Sequence, residues 1–506
     1  MAIITSFKIH PAIGIARLGN SPDKFFIGPE IPGVNNPPTG GYKDPKMRVK
    51  RQAARFRIFG YDEDGNVVKE ITTADADIKW SLHLANKKAA WKEFDGLKPN
   101  GPLRNRSEKN RNLLIIDPGE RTLNKINSSA FFDTGTFYNK TVPLGEMRMD
   151  QNARLLVLGG FGNSASIHNK PPKDFANNNG WNDDVSDGPV TALIKLKGSS
   201  KFENATPSWV ICPPPDFAPS IPNVISLYDT LLQVAIDKLN YQLPEIPSFT
   251  NDIYPILSRA NNMKWVSMMM WKMHRKQGSR PASMESKHKD MENSMPLISD
   301  AALRQKVFDK LTNPNDPLIG EENDMPMLWS DYYLEQHRNN GEHRNLTLCK
   351  WQYDYLEKWA RGFFNDDWGT LAAPSSTITA HGLDKASLEN CIGGAFYPGI
   401  EASWYIRDHY DFIEPFRLSH TLISAGDITK QMALPWQADF FDCQQEGELS
   451  WWPAQRPDDV FVEGTQNMHK WTRRRVTDYQ SMVNKWHYLG FVIKKGDAYI
   501  ESERNS

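Results

Sequence analysis

The sequence reads LDKASLENCIGGAFYPGIEASWYIRD over residues 383–408, RLSHTLISAGDITKQ over 417–431 and MALPWQADFFDC over 432–443. The first of these segments has a helical pattern that leads to Cys391, and a Gly-Gly pair follows one residue later. In the last segment Trp436 stands directly after Pro435. Glycine permits close backbone approach beside the thiol, and proline fixes its φ angle directly before the indole.

The size and composition of the chain indicate a large globular protein. Its 506 residues can bury a sizeable core, and 39% of them are hydrophobic, with 16 tryptophans. The 60 Lys and Arg residues nearly balance the 61 Asp and Glu residues, which leaves a net charge of −1. No overall positive field is available to attract a nucleic acid, so we expect no nucleic-acid partner.

The hydropathy pattern bears on the location of the protein. No run approaches the roughly 18 apolar residues that a membrane span requires, so we expect no membrane partner. The opening residues, MAIITSFKIHPAIGIARLG (1–19), alternate in polarity and lack the charged and apolar regions of a signal peptide. We therefore expect a cytoplasmic location at synthesis, and export by a non-classical route stays open.

The cysteines indicate neither a disulfide framework nor a metal site. Four of them, at positions 212, 349, 391 and 443, are too few and too scattered to staple a fold. The sequence contains no Cys-x-x-Cys pair and no cluster of cysteine and histidine with zinc spacing, so we expect no bound metal.

One glycine pattern superficially indicates a dinucleotide site. RLLVLGGFGNSA (154–165) places Gly160 and Gly162 after an apolar strand pattern. A dinucleotide site also needs a helix that begins at these glycines, whereas a polar segment with two adjacent prolines follows here. We therefore expect a turn at this position and no NAD.

The two halves of the chain differ in periodicity. ARFRIFGYDEDGNVVKEI (54–71) predicts a hairpin with an Asp-Gly turn, and short strand patterns recur from about 112 to 212, which favours antiparallel sheets. Helical spacing is predicted for WSLHLANKKAAWKEF (80–94), SLYDTLLQVAIDKL (226–239), DAALRQKVFDKL (300–311) and CKWQYDYLEKWARGFF (349–364). The predicted fold is α+β, with a β-rich domain at 1–220 and a mainly helical domain at 221–506. We expect a strand pair to close the chain and an exposed loop at 275–296.

The position of Cys391 argues against a cysteine hydrolase that uses His409 or His420. We expect Asp384 to cap the start of the helix and the two glycines to end it, which places Cys391 in the last turn. The helix dipole disfavours a thiolate there. The default interpretation of such a cysteine is a buried structural residue. For Trp436, one of 16 tryptophans, the default interpretation is packing in the core or at an interface.

The conjunction of motifs resembles the family of cysteine tryptophylquinone-dependent amino-acid oxidases, which includes L-lysine ε-oxidases and glycine oxidases. The resemblance rests on a Cys before Gly-Gly and PGIE, on PWQADF, and on IHPAIGIARLGNS (9–21) and GWNDDVSDGPV (180–190). It implies that Cys391 is thioether-linked to Trp436 and that this tryptophan is oxidised to an ortho-quinone. The cofactor would then be protein-derived, with no bound flavin.

The resemblance also implies a reaction. A primary amine condenses with the quinone, and a carboxylate removes a proton from the adjacent carbon. Hydrolysis then releases an aldehyde or oxo acid, and dioxygen reoxidises the cofactor with release of hydrogen peroxide and ammonia. The base should be a desolvated acid with a raised pKa. Asp439 is the first candidate because it is near Trp436 in sequence, and Asp384 and Glu389 follow. Ser387 occupies the position one turn before Cys391, where an acid would have been more convenient.

Substrate and partners are less well specified. Arg407 and Arg17 are candidates for binding a substrate carboxylate, and Asp183, Asp184 and Asp187 could approach an ammonium group. Lysine, glycine, another amino acid or a peptide-borne amine are all open as substrates. The resemblance implies a flavin-dependent maturation protein and a homo-oligomer. The alternative function is a non-catalytic scaffold whose Cys391 and Trp436 stay unmodified.

Overall fold

The predicted α+β class is confirmed by a computed structural model, in which strands dominate the first half of the chain and helices are concentrated in the second. The structure describes residues 3–95, 100–274, 294–315, 325–329, 346–369, 377–394, 399–402, 405–408, 410–443, 450–465 and 467–505.

The strands of the first half form two main sheets within the described residues. Their bounds are β1 Ser6–His10, β2 Ile13–Ile15, β3 Phe25–Ile27, β4 Arg51–Tyr61, β5 Val67–Ile71, β6 Ala76–Leu82, β7 Arg121–Leu123, β8 Ser129–Phe131, β9 Thr136–Phe137, β10 Lys140–Thr141, β11 Gly145–Met149, β12 Leu155–Gly159, β13 Ser164–Ser166, β14 Trp181–Asp183, β15 Ser186–Leu196, β16 Glu203–Asn204 and β17 Ser208–Cys212. One sheet has the order β1-β4-β12-β11-β8, with β3 and β5 also on β4. The other has the order β2-β17-β15-β6-β7, with β16 on β15.

Helices and small hairpins make up most of the regular structure in the second half. The helices are α1 Leu227–Leu239, α2 Tyr254–Asn262, α3 Met268–His274, α4 Ser294–Ser299, α5 Ala301–Phe308, α6 Lys350–Ala360, α7 Ala380–Glu389, α8 Tyr405–Asp408, α9 Trp436–Asp442 and α10 Tyr479–Lys485. The hairpins are β18 Phe412–Glu414 with β19 Arg417–Leu418, β20 Asp459–Phe461 with β21 Met468–Lys470, and β22 Phe491–Lys495 with β23 Ala498–Ser502. The predicted hairpin at 54–71 and the closing strand pair are confirmed.

Three local predictions need correction. Residues 80–94 are not a helix: β6 ends at Leu82, and only Lys88–Ala90 turns as a 3-10 helix. Not every strand pair is antiparallel, because β2 pairs with β17 and β3 with β4 in parallel. Residues 294–296 begin α4, whereas the rest of the predicted loop lies outside the described residues.

The hydrophobic core is arranged in two large clusters. One fills the space under the first sheet and around Trp80, and the other runs from Ile13 and Trp209 through the helices to Tyr499. Cys391 and Trp436 both belong to the second cluster. Because that cluster draws on both ends of the chain, the domain boundary near residue 220 stays a prediction. Among the described helices, none has the length and apolar character that a bilayer crossing demands.

Candidate active site

Cys391 lies two residues after the end of α7, and the predicted cap of that helix is wrong. Thr379 is the N-cap, since its side chain accepts a hydrogen bond from the N–H of Gly382 at 3.0 Å. The helix ends at Glu389, so Cys391 is just beyond it and not in its last turn. The thiol is buried and its Sγ donates to the carbonyl of Ser387 at 3.4 Å.

The glycine turn after Cys391 is needed because it packs directly against the start of α1. The N–H of Leu227 donates to the carbonyl of Cys391 at 3.0 Å, and the N–H of Gly393 donates to that of Ile225 at 3.0 Å. A methyl group on Gly393 would overlap the backbone carbonyl of Ser226. The predicted close backbone approach is therefore present, and it fixes Cys391 against α1.

Arg17 lies in the core beside Cys391. Its Nη2 is 2.7 Å from Oε1 of Glu401 and 3.8 Å from Sγ of Cys391. Both charged side chains are almost completely buried. The structure thus gives Arg17 a partner within the protein in place of the predicted substrate carboxylate. Glu401 is the acid of PGIE, a motif for which the sequence offered no role.

Trp436 begins α9 and is enclosed by aromatic rings. Its ring centroid lies 4.9 Å from that of Phe440 and 5.4 Å from that of Trp486, both in edge-to-face geometry. The backbone N–H of Trp436 donates to Oδ2 of Asp183 at 3.1 Å. Its indole Nε1 is buried and has no hydrogen-bond partner in the described part of the chain. A buried indole N–H usually has such a partner, and Trp91 is a second indole in the described part of the chain that lacks one.

Asp183 is paired with Lys88, and neither side chain is exposed to solvent. Asn86 Nδ2 also donates to Oδ1 of Asp183 at 3.0 Å. Burial lowers the pKa of Lys88, and the charge of Asp183 opposes that effect. Lys88 was missed because it lies in the segment wrongly predicted to be a helix, and nothing local marks it as a partner of an acid 95 positions away.

Asp439, the first candidate for the base, is buried three positions after Trp436. Sγ of Cys443 donates to its Oδ1 at 3.0 Å. Burial raises the pKa of Asp439 to about 7, whereas Lys88 and Arg456 act in the opposite direction. A carboxyl group with this pKa is partly ionised near neutral pH, as a proton acceptor must be.

Asp384, the second candidate, is committed to a structural contact. Nδ1 of His10 lies 2.9 Å from its Oδ1, and the N–H of Ala12 donates to the same oxygen at 2.6 Å. Nε2 of His10 is in turn 2.8 Å from the hydroxyl of Tyr61. These contacts tie α7 to β1, so Asp384 neither caps its helix nor has a free carboxylate.

The other predicted residues are dispersed. Glu389 accepts a hydrogen bond from the N–H of Gly33, and burial raises its pKa. Arg407 is half-buried in α8, where its carbonyl accepts from Nζ of Lys238 at 2.8 Å. His409 lies outside the described residues, and the ring of His420 packs edge-on against Trp209 at 5.0 Å. In the described residues no histidine is hydrogen bonded to Cys391, which removes support for the hydrolase.

The acidic segment of GWNDDVSDGPV faces inward. Asp187 accepts hydrogen bonds from the hydroxyl of Thr429 at 2.6 Å and from Nε1 of Trp209 at 2.9 Å. Asp184 accepts from the N–H groups of Phe161 and Asn163. Burial raises the pKa of Asp187 to about 6 and that of Asp184 to about 7. These carboxylates organise the backbone, and none of them meets a substrate ammonium group from the surface.

A short series of contacts joins the surroundings of Cys391 to those of Trp436. With its amide turned so that both ends are satisfied, Gln455 accepts from Arg17 at 2.9 Å and donates to Glu401 at 2.8 Å. The carbonyl of Gln455 accepts from the N–H of Phe217 at 2.9 Å, and that ring lies 6.4 Å from Phe440. Phe440 in turn packs on Trp436. The two residues therefore lie in one continuous, tightly packed region.

A cleft of about 850 Å³ opens to solvent. Its walls are the β13–β14 hairpin, residues 169–172 and the first part of α10. Ser164 on its wall donates to Oε1 of Gln437 at 2.6 Å, next to Trp436 in the chain. The cleft thus reaches the element that carries Trp436.

The chain is similar to known proteins along most of its length. The model of the L-lysine ε-oxidase N-terminal domain matches residues 10–212, and that of the C-terminal domain matches residues 331–471, which include Cys391 and Trp436. L-lysine 6-oxidase from Marinomonas mediterranea is 28% identical over 531 residues, covering 87% of this chain and 71% of that protein. Crystal structures of L-Lys ε-oxidase from the same organism, one of them a Schiff base intermediate with L-Lys, share the fold with a TM-score of 0.78 at 24% identity. They cover 99% of this chain and 95% of theirs.

Proposed function

Because this chain belongs to the L-lysine ε-oxidase family, whose enzymes oxidise an amine, we propose that it deaminates an amino acid through a cysteine tryptophylquinone formed from Cys391 and Trp436. The ε-amino group of lysine is the first candidate substrate, since the relative at 28% identity is an L-lysine 6-oxidase. Dioxygen is the electron acceptor. The products are an aldehyde or oxo acid, ammonia and hydrogen peroxide.

The residues present fit such a cofactor. Cys391 is a free thiol in the same core cluster as Trp436, and the glycine at 393 leaves no side chain beside it. The indole Nε1 of Trp436 lacks a partner in the described part of the chain, so modification of this ring breaks no hydrogen bond made there. This pairing of a free buried thiol with an unpartnered buried indole is the observation that carries the proposal.

The tryptophylquinone would supply an electrophilic carbonyl for a primary amine and an acceptor for two electrons, which no unmodified side chain provides. The chain itself supplies the remaining functions. Asp183 holds the backbone of Trp436 and so fixes the orientation of the ring. Asp439 accepts the proton from the substrate carbon, because its pKa of about 7 makes it partly ionised at neutral pH. Aromatic rings around Trp436 exclude water.

Substrate recognition is assigned to Arg407 in place of Arg17. Arg17 is enclosed with Glu401, whereas Arg407 is only half-buried on α8. A guanidinium can bind a carboxylate through two parallel hydrogen bonds, which suits an amino-acid substrate. Glu389 and Asp384 remain secondary candidates for the base, and Asp187 has no role at the substrate in this scheme.

Maturation and assembly follow from the family resemblance. Formation of the thioether and the two carbonyls removes four hydrogens and adds two oxygens, so an oxidising partner is required. We propose a flavin-dependent maturation protein for that role, and a homo-oligomer as the working form. The competing proposal is a non-catalytic scaffold with unmodified Cys391 and Trp436.

Mass spectrometry tests the proposal. The protein is expressed with and without the flavoprotein, and its intact mass, visible spectrum and peptide map are recorded. We expect a gain of two oxygens less four hydrogens, mapped to a Cys391–Trp436 peptide, together with hydrogen peroxide release when lysine is added. An unmodified mass under both conditions would favour the scaffold.

A matched pair of variants sharpens this test. Trp436→Phe should abolish the modification and the hydrogen peroxide release. Trp80→Phe serves as the control, because Trp80 is equally buried but lies in the other core cluster. The control should retain both properties, so any general damage from losing a core indole is measured separately.

A further inference from the structure

We propose that Arg17 is a positioning residue that holds the Cys391 sulfur in place and favours its ionised form, with Glu401 as its anchor. This inference rests on the proposed function, since it concerns the thiol that becomes the thioether. It assigns a role to two motif residues, the arginine of IHPAIGIARLGNS and the glutamate of PGIE, that lie 384 positions apart in the chain.

The guanidinium of Arg17 touches the chain on both sides of the thiol. Its Nη2 donates to the carbonyl of Asn390 at 3.2 Å and to Sγ of Cys391 at 3.8 Å. Its Nη1 donates to the carbonyl of Pro214 at 3.1 Å. Because the fork of a guanidinium is planar and rigid, these contacts fix the sulfur relative to the end of α7 and the segment after β17.

Glu401 braces the same site from the other direction. Its Oε1 accepts from Nη2 of Arg17 at 2.7 Å, and its Oε2 accepts from the N–H of Ile392 at 3.2 Å. Gln455 bridges the arginine and the glutamate through its amide. One carboxylate therefore holds both the cation that contacts Cys391 and the backbone that follows it.

The charges at this site act on the thiol in opposite directions. Burial raises the pKa of Cys391 well above its ordinary value, Glu401 and Asp216 raise it further, and Arg17 lowers it. Arg17 thus counters two carboxylates and the loss of water. Without it, a thiolate would lie in a buried site whose named charged neighbours are both acids, which low dielectric makes costly.

Because Arg17 and Glu401 act on the pKa of Cys391 in opposite directions, their removal should have opposite effects on the reactivity of the thiol. A purely structural role of Arg17 predicts no such difference. Unprocessed protein, expressed without the flavoprotein, is treated with iodoacetamide over a range of pH. The alkylation of Cys391 is then followed on its own peptide by mass spectrometry. Rates are compared along the rising part of each profile, because burial raises the pKa of Cys391 well above its ordinary value. More frequent opening of the buried site would shift the profiles of two destabilised variants in the same direction, so opposite shifts report the charges.

We expect Arg17→Gln to shift the profile upward by about one to three pH units, the size of shift that a nearby opposite charge produces. Glu401→Gln should shift it downward, and Arg17→Lys should restore part of the wild-type profile. Arg51→Gln is the matched control, because Arg51 is also buried and also 2.7 Å from a glutamate, Glu146, but packs elsewhere. Its profile should equal that of the wild type.

Co-expression with the flavoprotein provides the second measurement. The fraction of protein with the Cys391–Trp436 thioether should fall at least about tenfold in Arg17→Gln, which corresponds to one pH unit of lost thiolate, and should be unchanged in Arg51→Gln. An unshifted profile in Arg17→Gln, or shifts of the same sign in Arg17→Gln and Glu401→Gln, would overturn the inference. If Arg17→Gln does not fold, the alkylation profile of Glu401→Gln decides: a shift to lower pH supports the inference, and its absence overturns it. Absence of the thioether from the wild type would overturn the proposed function instead, and the alkylation profiles would still test Arg17.

Discussion

The carboxylate of Asp183 accepts the backbone N–H of Trp436 at 3.1 Å while it is paired with Lys88 in a site with no solvent exposure. The acid sits at the end of the short strand β14, and the lysine lies in a 3-10 turn after β6. A charged acceptor at the first residue of α9 satisfies an N–H that the helix itself leaves without a partner. The buried pair therefore sets where α9 begins and which way Trp436 points.

Loss of either partner from this pair should be strongly destabilising. Asp183→Asn keeps the shape and one acceptor but leaves the charge of Lys88 buried without its counter-ion. We expect the free energy of unfolding in urea to fall by about 3 kcal/mol, as when a buried ion pair loses one member. Lys88→Met combined with Asp183→Asn should recover part of that loss, because no unpaired charge then remains.

The control for this prediction is Asp77→Asn, which breaks the surface ion pair between Asp77 and Lys195. Both of those side chains are substantially exposed, so the expected loss is below about 1 kcal/mol. If Asp77→Asn and Asp183→Asn lowered the free energy of unfolding equally, the buried pair would contribute no more to stability than the surface pair, contrary to this prediction.

Gly393→Ala tests the close packing behind Cys391. The added methyl group would overlap the carbonyl of Ser226, and the backbone hydrogen bonds between the two segments leave little room to move. We expect a loss of about 1–3 kcal/mol in urea unfolding, typical of an overpacked site, and a lower yield of thioether. Gly28→Ala is the control, since the three atoms nearest to a methyl group there all belong to the flexible side chain of Gln52. A wild-type yield of thioether in Gly393→Ala would show that the turn tolerates displacement.

Sequence patterns predicted the elements whose signal is local. The hairpin at 54–71 carries its Asp-Gly turn and both strands within 18 positions, and α1 carries its own Ser226 capping box. The segment at 80–94 was mispredicted because Trp80 and Leu84 are four positions apart, as on one helix face, although Trp80, Leu82 and Leu84 also alternate as in a strand. Pairing of β6 with the distant β15 decided for a strand as far as Leu82.

The residues that surround the site could not be predicted from the sequence, because they too are brought together by contacts between segments that are distant in the chain. Cys391 and Trp436 could be named from their motifs, but Arg17 is 374 positions from Cys391 and Lys88 is 95 positions from Asp183. Asp384 shows the converse, since its place before an apolar run fits a helix cap although its carboxylate is bound to His10. Buried charges find partners through the tertiary fold, and no periodicity encodes those pairings.

The pH dependence of stability should reveal the buried Asp439. Burial raises its pKa in the folded protein to about 7, above the ordinary value of 3.8. Folding therefore favours the protonated form, so the stabilising contribution is complete below about pH 4 and is lost as the pH rises through about 7. Asp439→Asn, which resembles the neutral acid, should become more stable relative to the wild type over that range.

Urea unfolding of both proteins at several pH values between about 4 and about 8 measures this difference. Glu63→Gln, in the exposed turn between β4 and β5, is the control because it removes a carboxylate that is not buried and is not among the charges that act on Asp439. A stability difference between Asp439→Asn and wild type that does not change with pH would show that Asp439 is not protonated in the folded protein at neutral pH.

Turnover should separate Asp439 from Asp384 as the base. Asp384 is held by His10 and by the N–H of Ala12, whereas the partner found for Asp439 is the weakly donating thiol of Cys443. In Asp439→Asn we expect kcat/KM for lysine to fall by at least about 100-fold, the usual contribution of a general base. Asp384→Asn should lower stability but change kcat/KM little.

Activity is measured as hydrogen peroxide release and divided by the quinone content, which titration with phenylhydrazine gives. In the wild type, kcat/KM should rise with pH through about 7, because only the ionised form of Asp439 accepts a proton. A full loss of turnover per quinone in Asp384→Asn, with normal turnover in Asp439→Asn, would move the role of base to Asp384.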